Sequence, residues 1–184
     1  MIFCYAIEVN GTLCTGEFSS ALLQKNESDS SELVSVVQPV PEWPGLSAAL
    51  EGFEDIVSEV GKYRLILHND GEERLSISRA DVSWQVPCVN CTVNYYTSSW
   101  GREFEPVMKW LSPENPVVEF GTYSGRSTKG CDGWLGLETE EGAQCAALAW
   151  SGNWDARVER TSEKTVHARM GITSRGIFPC FECR

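Results

Sequence analysis

The chain has 184 residues, with 26 Asp and Glu against 15 Lys and Arg, for a net charge of −11. That length holds one domain with a sizeable core, but not a sandwich and a (β/α)8 barrel together, since a barrel alone takes about 200–250 residues. No run of Lys and Arg offers itself to phosphate, an anionic membrane surface would repel the chain, and no apolar run reaches the ~20 residues that span a bilayer.

In chain order, residues 1–20 alternate apolar and polar around Asn10-Gly11, the signature of a hairpin. The tract Lys25 to Glu32 has no apolar residue and predicts an exposed loop. Leu46, Leu50, Phe53, Val57 and Val60 recur at helical spacing, which predicts a short amphipathic helix near residues 46–60. Gly52 opposes it by about 1 kcal/mol relative to Ala. From residue 61 the period is two: Tyr63, Leu65 and Leu67 alternate with polar neighbours up to the turn Asn69-Asp70-Gly71. Leu75 and Ile77 then share a face, whereas Val82, Trp84 and Val86 follow in the opposite parity. A parity change without a turn needs one extra residue, so a bulge is expected near Arg79-Ala80-Asp81. Leu148 and Trp150 read as a strand entering the turn Ser151-Gly152-Asn153. Trp154, Ala156 and Val158 form the next strand, and Val166, Ala168 and Met170 another. The pattern is an antiparallel meander with one dry face.

Several segments carry a resemblance. Trp100, Arg102 and Glu103 match a "GxW-xRE" element. Gly125-Arg126-Ser127-Thr128 match a "GRSS" turn. Ser151-Gly152-Asn153-Trp154, with Ala156, Val158 and Glu159, match a "SGNF-x-A-x-VE" strand pair, and His68 to Pro87 look like the strands before them. Together these resemble the amino-terminal β-supersandwich domain of family 36 glycoside hydrolases, the α-galactosidase family. The resemblance implies an all-β antiparallel supersandwich over residues 1–184 that stops before the family's catalytic barrel. It implies a non-catalytic role: supporting the barrel, shaping the rim of its site and helping subunits associate. Full-length relatives would hydrolyse terminal α-galactosides with retention and without a metal. The chain alone is expected to be inactive, to need no cofactor, and to have as partners the barrel, a galactoside and a second copy. The family's "DFRSPA" element is missing from residues 1–60, the least similar part.

Glycoside hydrolysis needs two carboxyl groups. Glu103 and Glu105, at i and i+2, would share a strand face, which does not give opposite approaches to a sugar ring, and no catalytic residue is assigned. Sugars pack C–H faces on aromatic rings and fix their hydroxyls with polar groups. Trp134, after Asp132-Gly133, is the best exposed platform, and Arg126 and Asp132 are its polar partners for substrate binding, with Asn153 a further donor or acceptor. Trp150 and Trp154 are read as core. The rival readings are a stand-alone carbohydrate-binding module and a zinc-stabilised interaction domain.

The zinc reading rests on two CxxC pairs, Cys88 with Cys91 and Cys180 with Cys183, whose four thiolates could form a tetrahedral site. Their wide separation departs from the usual ribbon spacing. The eight cysteines are otherwise read as mostly reduced, partly buried thiols. His68 and His167 are read as exposed and non-catalytic. The start MIFCYAIEVNGTL lacks a basic n-region and a sustained apolar stretch, so a cytoplasmic location is expected. The sequons at Asn10, Asn26 and Asn90 would matter only on a secreted chain.

Overall fold

A computed structural model describes residues 3–18, 34–55, 60–126, 128–174 and 181–183. All its regular elements are strands: β1 Phe3–Val9, β2 Thr12–Phe18, β3 Val34–Pro39, β4 Leu46–Asp55, β5 Val60–Asn69, β6 Leu75–Pro87, β7 Cys91–Ser99, β8 Arg102–Trp110, β9 Val117–Thr122, β10 Gly130–Cys131, β11 Trp134–Thr139, β12 Gly142–Ala147, β13 Trp154–Ser162, β14 Thr165–Thr173 and β15 Phe181–Cys183. Every recorded pairing is antiparallel.

Three sheets share one core. Seven strands form the largest, in the order β2-β1-β6-β14-β13-β9, with β15 added to β6. A sheet of β3, β4 and β5 packs over one part of its inner face, where the rings of Phe3 and Tyr63 lie 4.5 Å apart. A sheet of β7, β8, β10, β11 and β12 packs over another, where Tyr95 stacks on Phe120 at 4.2 Å and Phe120 meets Trp154 edge-on. Trp154, Ile7, Leu50, Leu135 and Val158 belong to a single buried cluster drawn from all three sheets. The all-β supersandwich expected from the sequence is the architecture found.

The first hairpin turns at Asn10-Gly11, where both residues have positive φ (48° and 81°), the geometry of a two-residue type I′ turn. The turn after β5 is closed by Asn69, whose Oδ1 accepts from Gly71 N–H at 3.2 Å. Trp154 is fully buried, and Trp150 is half-buried against the core. The segment 148–150, expected as a strand, lies beyond the end of β12 at Ala147. The tract Lys25 to Glu32 lies outside the described residues.

The helix expected near residues 46–60 is not formed. Residues 46–55 are strand β4, paired on both edges with β3 and β5. The reason lies in the spacing itself. Leu46 and Leu50 are four apart, which satisfies one helical turn and two strand periods equally. The deciding residues are Ala48 and Gly52, buried with Leu46 and Leu50 on one face of the strand. Small residues there let the sheets approach, and an alternation of large and small side chains carries little weight in a hydrophobic pattern.

The bulge in β6 falls one residue before the expected place. Glu8 pairs with Arg79 but Val9 pairs with Ile77, leaving Ser78 as the extra residue. Leu75 and Ile77 before it, and Trp84 and Val86 after it, can therefore all face the core. The opposite face acquires Asp81 and Ser83, both buried.

That outer face carries an ion cluster. Arg169 on β14 reaches Asp155 Oδ1 on β13 at 2.5 Å and Asp81 Oδ2 on β6 at 3.3 Å, and Arg79 also pairs with Asp81. Gly171 lies opposite both aspartates across the two ladders. A Cβ there would meet the Asp81 Cα at 2.5 Å, so the row closes only around glycine. Burial pushes the Asp81 carboxyl up, against the pull of Arg79 and Arg169. Replacing one partner of a buried ion cluster strands the others in low dielectric. Arg169→Met is therefore expected to lower the unfolding free energy by about 3 kcal/mol at pH 7. Asp81 has a folded pKa above its unfolded one, so the uncompensated charge disappears as pH falls through that raised value. The deficit in urea denaturation should accordingly be smaller at pH 4.5 than at pH 7, and an equal deficit at both would contradict this account.

Candidate functional site

The loop between β9 and β10 is built around two buried polar side chains. Thr122 Oγ1 donates within the loop, with the Arg126 carbonyl at 2.8 Å and the Lys129 carbonyl at 2.5 Å as its partners. Asn153 Oδ1 accepts from Gly125 N–H at 2.6 Å. Gly125 takes a φ of 80°, so the turn needs a residue without a Cβ there. This is the segment expected as a turn pair, and its hydrogen bonds tie it to the start of β13. Asn153, expected as a donor or acceptor for a sugar, has its side-chain carbonyl engaged by the loop. Arg126 is exposed on the loop surface.

Asp132 follows β10. Its N–H donates to the Tyr96 carbonyl at 3.1 Å, and its own carbonyl accepts from Trp134 N–H at 2.7 Å. The residue is buried, and its Oδ2 has no hydrogen-bond partner. Burial raises the carboxyl above the ordinary range, and the nearby charge of Glu103 adds to the rise. The chain therefore links Asp132 directly to Trp134. Arg126 sits on a separate loop, with no contact to either among those described.

Trp134 opens β11. Its indole is half-buried and lies across Gly136, so that a Cβ on Gly136 would come within 2.7 Å of Cη2. Tyr96 on β7 lies beside it, with ring centroids 5.3 Å apart, and Phe104 meets Tyr96 edge-on at 6.4 Å. Beyond them the hairpin of β7 and β8 projects its apolar residues into solvent. Trp100 is 101% exposed at the tip, and Phe104, Met108 and Trp110 are more than half exposed. In β8 every residue but Val107 is exposed, on both faces. Sequence reasoning passed over Phe104 and Met108 because alternation predicts one buried face, and an edge strand with neither face buried has no such signature.

Glu103 and Glu105 do not share a plain strand face. Phe104 between them has a φ of 58°, and the ladder to β7 shifts register there. Glu105 lies 3.8 Å from Arg102 in an exposed pair. His68 is exposed, as expected. His167 is half-buried on the outer face of the large sheet, and burial lowers its pKa.

Cys88 and Cys91 flank the connection from β6 to β7, both buried. Burial pushes the Cys91 thiol up to about 12, helped by its neighbour Cys88. Glu140 closes the turn from the far side by accepting from Val89 N–H at 2.6 Å and Asn90 N–H at 3.0 Å. Cys180 lies outside the described residues. The backbone of Cys183 pairs with Leu75, at the opposite end of β6 from Cys88. A strand of that length spans roughly 40 Å. Thiolates around one zinc lie within roughly 4 Å of one another. The ladder therefore holds Cys183 far from the Cys88–Cys91 pair and does not assemble the four-thiolate zinc site. Among the described residues no group of three or more His, Cys, Asp or Glu is placed to hold a metal ion. No helix among them is long and apolar enough to cross a membrane.

Residues 58–176 match the sequence profile described as the glycosyl hydrolase family 36 N-terminal domain, and the chain belongs to that family. No curated protein matches the chain. Similar solved structures include the α-galactosidase AgaA from Geobacillus stearothermophilus, at 14% identity and TM-score 0.49, covering 97% of this chain and 28% of that one. Another is the α-galactosidase from Lactobacillus brevis, at 11% identity and TM-score 0.49, covering 97% of this chain and 27% of that one. A third is the galactosidase domain of the α-galactosidase-sucrose kinase AgaSK, at 11% and 0.48, covering 83% and 27%. The chain thus spans little more than a quarter of the length of these proteins.

The stranded Asp132 carboxylate yields a test. Its folded pKa is raised, so the ionised form is carried at a cost that vanishes once the group protonates. Asp132→Asn is expected to raise the melting temperature at pH 7, with the gain shrinking towards pH 4. A loss of stability at pH 7 would mean that the charge has a partner the fold depends on.

Proposed function

We propose that the chain is the non-catalytic amino-terminal domain of an α-galactosidase-like glycoside hydrolase. In this role it braces the catalytic barrel and helps subunits associate during hydrolysis of terminal α-galactosides. The match to the family profile over residues 58–176 carries the reading. The exposed tip of the β7–β8 hairpin supports the contact part of it. A tryptophan as open as Trp100, with Phe104 close by, is the kind of large aromatic that anchors interfaces. Arg126, Asp132 and Trp134 are proposed to reach the rim of the sugar site: an exposed cation, an unpaired acceptor and a ring. Catalysis is assigned to the family's barrel; among the described residues Asp81 and Asp155 are held by arginine, while Asp132 is buried with its Oδ2 unpartnered. The free thiols at Cys4, Cys14, Cys88, Cys91, Cys131 and Cys145 suit the reducing conditions of a cytoplasmic location.

Two measurements test this. The chain alone should not turn over melibiose or p-nitrophenyl α-galactoside; robust hydrolysis would end the proposal. Mixed with a family 36 catalytic barrel from the same source, it should co-elute on size exclusion and raise the barrel's melting temperature. Trp100→Ser should weaken that complex roughly tenfold or more, the scale of a hot-spot aromatic. A barrel indifferent to the chain would remove the supporting role.

A further inference from the structure

The sheet of β7, β8, β11 and β12 bears a shallow depression of about 330 Å³ on its outer face. Asn94 and Gly136 lie opposite each other near its floor, with Met108 and Cys145 as their partners on the flanking strands. Tyr96 and Trp134 wall one side in direct ring contact, and Glu138 lies two residues beyond Gly136 on the same strand. Glu138 is the single charged residue of the lining, and no Lys or Arg joins it.

We infer that this depression is a binding site for a neutral pyranose oligosaccharide, stacked on Trp134. Three observations converge on that ligand. The indole rests on bare backbone at Gly136, where a Cβ would come within 2.7 Å of Cη2 and 3.3 Å of Cζ2. It is thus held in place before any ligand arrives, and little ordering remains to be done on binding. An apolar ring flanked by an amide and a carboxylate matches the two-sided chemistry of a sugar, whose C–H face packs on aromatics while its hydroxyls seek donors and acceptors. A lining with one negative charge and no cation disfavours phosphate, sulfate and carboxylate ligands. The volume lies at the small end for ligand sites and suits one or two sugar rings.

For Trp134 the inference rests on the sugar-contact reading above, but it goes further in requiring no barrel. The site is complete on this chain, so failure of the chain to bind a barrel leaves it untouched.

The exposed Cys145 thiol at the edge of the depression supplies the readout. The full chain is treated with iodoacetamide, and alkylation is followed at the Cys145 peptide by mass spectrometry, with raffinose or maltotriose titrated in. Alkylation should slow saturably, with a dissociation constant on the order of 1 mM, typical of a single stacked ring on an open face. Protection by both sugars supports a general pyranose site, and protection by raffinose alone supports one selective for galactosides. Trp134→Ala should weaken protection roughly tenfold, the equivalent of one aromatic contact. Gly136→Ala should also weaken it several-fold while keeping the indole, because the new methyl lifts the ring; an unchanged melting temperature shows that the fold is intact. The inference is overturned if neither sugar protects Cys145 at roughly ten times that concentration. It is also overturned if both variants bind as the parent does, or if Cys145 is already shielded in the free chain and released by dilution, which would make this face a contact between copies.

Discussion

Strand β6 imposes the condition on which the rest of the sandwich is built. It is 13 residues long and lies at the centre of the largest sheet, with β1 on one edge and β14 and β15 on the other. Its apolar side chains fall in two parities, and a regular pleat would bury only one set. The unpaired Ser78 turns the pleat over once, so both Leu75 with Ile77 and Trp84 with Val86 enter the core. Each flanking sheet then finds an apolar surface to cover. The same half-turn delivers Asp81 to the outer face, where it is wholly excluded from water by its neighbours.

The ion cluster follows from that delivery. A carboxylate held there cannot remain alone, and Arg169 and Arg79 neutralise it while Asp155 takes up another guanidinium hydrogen bond. The geometry requires glycine at position 171, and Gly121 behaves similarly opposite Asp155, where a Cβ would fall 2.7 Å from the Asp155 Cα. Four strands, β6, β14, β13 and β9, are thus locked in register by polar contacts on one face and by Trp154, Ala156 and Val158 on the other. Registers fixed from both sides leave the loops at the strand ends free to vary. The β9–β10 loop is one of these, yet it is pinned by Asn153 and Thr122.

Much of this was readable in the residues. Asn10-Gly11, Asn69-Asp70-Gly71 and the alternation from Trp154 to Met170 each state their own geometry, since turn chemistry and period two are local properties. The parity conflict in β6 announced a bulge, although not the residue that forms it, because that choice depends on how β1 pairs. The stretch from Leu46 misled because spacing of four residues belongs to both periods, and only the partners β3 and β5 break the tie. At the candidate site, Trp134 was expected as an exposed loop residue after Asp132-Gly133 but opens β11 half-buried, and Gly136, which seats it, carries no signal in isolation. Asn153 was expected to meet a ligand, and its Oδ1 supports a turn; composition cannot say in advance whether an amide oxygen serves the chain or a visitor. The far end of β6 from Cys88 is where Cys183 pairs, a fact of topology that no CxxC spacing contains.

The buried thiols also bear on how the domain meets oxidants. Burial pushes the Cys91 thiol up to about 12, so very little of it is ionised at neutral pH, and the thiolate is the species that attacks peroxides and electrophiles. Burial likewise raises Cys4, Cys14, Cys88 and Cys131. Among the cysteines whose side chains are described Cys145 is the exposed one, so thiol oxidation among them would begin there and spare the interior, and the sandwich would keep its shape after its surface had been marked.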